Sequence, residues 1–141
     1  MTPRQRLAAI ARGMQADIDG YAALRGLLGR QFEAALRHDT GAMRDVAEAI
    51  SEQVAVLERH RSERVQHATA LSGGGVPASM PELFQRVGGP ARLQLSGMWS
   101  TLEAQVHDCK AQNVRNCRLI MEQGELMRRV LVGEDSIYVP A

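Results

Sequence analysis

The sequence predicts an all-α fold: an antiparallel helical hairpin, a short helix and a long C-terminal helix, packed as a three-helix bundle with coiled-coil character. Three observations carry this prediction. Apolar residues recur at helical spacing along nearly the whole chain, with no strand alternation and no internal repeat. Aromatic residues make up 4% of the 141 residues, too few for a typical sandwich or barrel. Compact turn signals, His38-Asp39-Thr40-Gly41 and the glycine-rich run from Ser72, separate the helical stretches. The length suits one domain, and a hydrophobic content of 45% suffices for its core. That domain is expected over residues 1–133, with a linker at 72–79 and a tail at 134–141.

Helix one should run from about residue 3 to 37. Thr2 reads as its N-cap and Pro3 as its first residue. Leu7, Ile10, Met14, Ile18, Tyr21, Leu24, Leu28, Phe32 and Ala35 form one stripe. Gly13, Gly20, Gly26 and Gly29 each weaken it by up to about 1 kcal/mol, so tertiary packing must hold it. The short turn makes helix two, about residues 41–71, its antiparallel neighbour, with Asp39 or Thr40 as cap. The stripe there is Met43, Val46, Ile50, Val54, Leu57, Val65, Ala68 and Leu71. The polar run from Glu58 to Arg64 reads as a solvated segment with local Glu–Arg pairs, with a docking face for an acidic partner as the alternative. Ser79, Met80 and Pro81 start a short helix over 80–87, which Gly88 and Gly89 end.

Pro90 opens the last helix, about 90–132, which Gly133 should stop. Leu95, Trp99, Leu102, Val106, Cys109, Asn113, Asn116, Ile120, Gln123, Met127 and Val130 follow at steps of four and three. This is a coiled-coil seam, and polar Asn113 and Asn116 in its middle give up stability to select register or partner. Such a helix is built for a chosen partner, inside or outside the chain. A seam this long can pair with its own hairpin or with a second chain, so a homodimer stays open.

The formal net charge is +1, which points to neither nucleic acid nor an anionic membrane. No run reaches the roughly 18 apolar residues of a membrane span, and the apolar start closed by Arg12 is too short for a signal-peptide core. Cys109 and Cys117 would lie about 12 Å apart on one helix, too far to bridge. Reduced thiols and a cytoplasmic location are expected. Glu63/His67 and Glu103/His107 are spaced by four, not by the three of bundle metal sites, and no metal or other cofactor is expected. Nucleophile elbow, P-loop and Cys-x-x-Cys patterns are lacking, so the chain is not expected to be an enzyme.

Helix lengths locate a surface. At about 1.5 Å per residue, helix three should overshoot the turn at Asp39 by about 10–15 Å. There Leu119, Ile120, Leu126, Met127, Val130 and Leu131 cover an arc near about 140°, with Met121 outside it. Methionine-rich apolar surface suits adaptable binding of amphipathic helices, although the same face could pack on helix one or on a second copy. Gly124 would permit a bend.

Three features now coincide in order. Phe32-Glu33-Ala34-Ala35-Leu36 runs through Asp39 into Ala42-Met43, Val46, Ile50 and Leu57, with Glu58 and Arg64 following. A glycine-rich break leads to Met80-Pro81-Glu82-Leu83-Phe84. Asn113-x-x-Asn116-x-x-Leu119-Ile120 lies in the final helix. Together they resemble the FlgN family, cytoplasmic export chaperones of flagellar hook–filament junction proteins. Ile50 stands where family members often carry a basic residue.

The resemblance implies a chaperone for the disordered C-terminal segments of the hook-associated proteins FlgK and FlgL, delivering them to the flagellar type III export gate. It implies client binding in the C-terminal helix, which makes Asn113, Asn116, Leu119, Ile120, Met121, Leu126, Met127, Val130 and Leu131 the candidates. It also implies export-gate docking through a C-terminal tyrosine, for which Tyr138 is the candidate. The alternatives are a helical adaptor or secretion chaperone with a different client, and a ligand-sensing or metal-binding bundle.

Overall fold

A computed structural model describes residues 1–75 and 79–138, with side chains described as far as Gly133. It contains α1 (Pro3–Leu36), α2 (Thr40–Leu71), α3 (Met80–Val87) and α4 (Gly89–Tyr138). The capping chemistry read from sequence sets three of the starts. Thr2 Oγ1 accepts from the Gln5 amide at 3.1 Å while Gln5 Oε1 accepts from the Thr2 amide at 2.8 Å, a reciprocal capping box. Asp39 caps α2 through the Ala42 amide at 3.0 Å, and Ser79 caps α3 through the Glu82 amide at 3.3 Å.

The turn between α1 and α2 is tighter than its composition suggests. His38 takes φ 55°, left-handed without being glycine. Its amide donates to Ala35 O and the Asp39 amide to Ala34 O, which closes the end of α1 as a Schellman motif. Gly73 repeats this exit at the end of α2, its amide donating to Ala70 O and that of Gly74 to Thr69 O, while α3 ends at Gly88 with φ 68° and extended ψ.

α1 is the central helix. α2 packs along it antiparallel and α4 packs along it parallel, while α2 and α4 do not pack along each other. The bundle is therefore open on one side. α3 packs on α4 and closes the end where α1 and α4 begin and α2 finishes. There Phe84, fully buried, joins Ile10, Met14, Ala68, Leu83, Leu95 and Leu102. The Trp99 ring meets Phe84 edge-on at 6.5 Å. A second cluster of Leu24, Leu28, Leu57 and Cys109 holds the middle. Gly20 is the one α1 glycine pressed against a neighbour, since a Cβ there would stand 2.9 Å from Leu57 Cδ2.

Between the two clusters lies a buried ion network. Asp17 is 1% exposed. It accepts from Arg64 Nη1 at 2.6 Å and pairs with His60 Nδ1 at 2.7 Å. This corrects the reading of a solvated run at His60 and Arg64, while Glu58, Arg59, Arg61, Ser62 and Glu63 are exposed and Arg61 pairs with Glu58 at 3.0 Å. His60 and Arg64 turn inward because Asp17 occupies a seam position of α1. Val54 and Val65, placed on the buried stripe of α2, are instead exposed on its open side.

α4 also departs from expectation at its end. Gly133 does not take a left-handed φ, so it does not cap, and the helix runs on to Tyr138. Gly124 likewise sits within unbroken helix.

The cysteines divide by burial. Cys109 is buried and its thiol donates to Tyr21 O at 3.8 Å, whereas Cys117 is exposed. Burial pushes the Cys109 thiol above its ordinary range, with Asp108 adding to the shift and Arg25 opposing it. With a thiol-reactive disulfide reagent at pH 8, Cys117 should therefore react at least about tenfold faster than Cys109. Equal rates would show that the middle cluster opens readily.

Candidate functional site

A ladder of polar side chains fixes how far α4 reaches. Gln105 Nε2 donates to Ile18 O at 2.9 Å, Cys109 to Tyr21 O, Asn116 Nδ2 to Leu28 O at 2.7 Å, and Gln123 Nε2 to Ala35 O at 2.9 Å. The sequence separation is 87 at the first rung and 88 at the other three. So constant an offset is the register of two parallel helices sharing a heptad seam. A slip of one residue would turn α4 by about 100° and break every rung.

Asn116 is the best-satisfied rung. Beyond Leu28 O, its Nδ2 donates to Gln31 Oε1 at 2.9 Å, and its Oδ1 accepts from Arg115. Arg115 in turn lies 3.8 Å over the Phe32 ring. Asn116 is 0% exposed and so is not available to a partner. It selects an internal one, which removes it from the client-binding candidates. Asn113 is exposed and accepts from the Cys117 thiol at 3.8 Å. The seam position assigned to it belongs to half-buried Gln112, one residue earlier.

The last rung lies at Gln123, and α1 ends at Leu36. α4 continues fifteen residues beyond that rung, about 22 Å of helix past the end of the hairpin. Leu119 and Ile120 are half-buried at the edge of the bundle. Beyond them Leu126 is 63% exposed, Met127 59%, Val130 51% and Leu131 58%, so the overhanging apolar arc is uncovered. Met121 is exposed too, but on the other face of α4. The charged residues gather away from the arc, where Glu125 pairs with Arg128 at 2.7 Å and Arg129 at 3.4 Å. The side chain of Tyr138, the candidate for export-gate docking, lies outside the described residues.

The overhang is thus an amphipathic helix whose apolar arc has no neighbour among the described residues, held out by a pinned seam. Its chemistry is burial of apolar side chains, reversible and without covalent steps. Among the described residues, no helix is long and apolar enough to cross a membrane, and no group of three or more acidic, histidine or cysteine residues could hold a metal ion.

The family model described as FlgN protein matches residues 1–132. The chain belongs to the FlgN family. That family is one of flagellar export chaperones. No curated protein and no solved structure matches the chain. For this FlgN-family chain, the match covers the hairpin, α3 and α4 through the whole of the exposed arc.

Proposed function

We propose that this FlgN-family protein is a cytoplasmic export chaperone for the disordered C-terminal segments of FlgK and FlgL. It holds them on the overhang of α4, prevents their premature assembly and delivers them to the flagellar type III export apparatus. The observation that carries this reading is the run of exposed Leu126, Met127, Val130 and Leu131 beyond the last rung of the seam. An apolar arc on a pinned helix offers a partner segment a surface on which to fold as a second helix. The ordering cost of such a segment keeps affinity moderate, so competition at the export gate suffices for release. No catalytic step or cofactor is required. Tyr138 is the residue we assign to gate docking, on the family resemblance.

The test is isothermal titration of the purified protein with C-terminal peptides of the two hook-associated proteins. Micromolar or tighter binding with a negative heat-capacity change is expected, since apolar burial carries that signature. No heat from a demonstrably folded protein would transfer the surface to a different client.

A further inference from the structure

The open side of the bundle carries a second surface, at the other end of α4. Where α2 and α4 diverge around α1 they leave a groove of about 560 Å³. Tyr21 of α1, Trp99 and Leu102 of α4, and Val65 of α2 with Val106 of α4 supply its apolar lining. Arg64, gripped by Asp17 at 2.6 Å, lies 5.7 Å over the Trp99 ring and stiffens that lining. The groove is thus built from groups already fixed in the folded chain.

Its rim is unbalanced in charge. Arg61 and Lys110 stand against Glu103 among the exposed groove residues. Arg64 is satisfied by Asp17, but Lys110 has no ion-pair partner among the described residues. Arg61 pairs only with Glu58, across the exposed surface where both side chains are over 60% accessible. Such a pair is worth little and is readily exchanged. From Trp99 to Lys110 the α4 wall runs about 16 Å, three helical turns. A fourth helix laid there would complete a four-helix arrangement around an apolar strip, the packing that an open three-helix layer lacks.

We infer that this groove docks an amphipathic helix of a partner protein, with an apolar face flanked by glutamate or aspartate. Trp99 and Leu126 are separated by about 40 Å along α4, so the groove and the overhang are separate surfaces. The groove does not depend on the client assignment.

Trp99 is the one tryptophan of the chain and reports directly on the lining. The full-length protein is titrated with a tryptophan-free 18-residue helical peptide carrying leucines on one face and glutamates beside them, and with its lysine-flanked twin. The expected result is a saturable blue shift of Trp99 emission at micromolar glutamate peptide, with the lysine twin at least tenfold weaker. Arg61→Glu with Lys110→Glu, both at exposed positions, should reverse that preference. Leu126→Glu with Met127→Glu should leave it unchanged. Equal affinity for the twins, no saturable shift, or an unaltered preference in the rim variant overturns the inference. So does a Trp99 emission that changes with protein concentration alone while the chain sediments as a dimer, which assigns the groove to a second copy.

Discussion

Asp17→Ala is expected to lower the stability of the fold by about 3–5 kcal/mol, a large share of what a domain of this size has. The aspartate is nearly inaccessible and, among the described residues, is the only anion on the buried side of the network. Without it Arg64, whose side chain is 13% exposed, would keep its charge in the interior with no counterion. His60 would lose its 2.7 Å partner. The penalty comes from stranding these groups, not from the worth of the ion pair itself. A triple replacement of Asp17, His60 and Arg64 by apolar residues of matching volume should therefore recover most of the loss. Urea unfolding followed by far-ultraviolet circular dichroism measures both effects. A loss below about 1 kcal/mol for the single variant would mean that water reaches Arg64 freely, and that the network is a surface feature.

That network was also the least legible part of the fold. α1 and α2 were readable because apolar spacing and capping residues agree, as at Thr2-x-x-Gln5 and Asp39. Asp17 lies at a seam step between Met14 and Tyr21, and α2 carries a polar run of matching register. The signal was thus present, but a polar residue inside an apolar stripe needs its partner to be interpreted. The same ambiguity moved the seam of α4 by one residue. Gln112 and Asn113 are both polar, so spacing alone cannot choose between them, whereas contact with α1 does. Gly133 departs from its expected role because glycine ends a helix by adopting a left-handed φ, which sequence does not reveal. The groove was illegible for another reason: stripes on three helices do not say which pair stays apart. The overhang, by contrast, followed from helix lengths and arcs that sequence does provide. Sequence nevertheless included Asn116 in that site, and its side chain is spent on Leu28 and Gln31.

Leu126→Glu combined with Met127→Glu is expected to abolish client binding, by at least about 100-fold, while leaving the chaperone folded. Burying a side chain of this size is worth about 1.5–3 kcal/mol, and each tenfold in affinity is about 1.4 kcal/mol. Two lost contacts therefore account for the fall before the carboxylates add their own desolvation penalty. The fold should not notice. Both positions are more than half exposed, they lie beyond the last rung at Gln123, and glutamate is a good helix former. Helicity at 222 nm and the urea midpoint should match the parent. Asn113→Ala and Met121→Glu, exposed but off the apolar arc, serve as controls and should change affinity less than about threefold. This pattern separates a surface that binds through one apolar face from a helix that is merely sticky all round, for which Met121→Glu would weaken binding as much as the double variant. Retained micromolar affinity in the folded double variant would place the client elsewhere on the molecule. The groove at Trp99 would then be the surface to test, because it is the other exposed apolar strip that the packing of α2 and α4 leaves open.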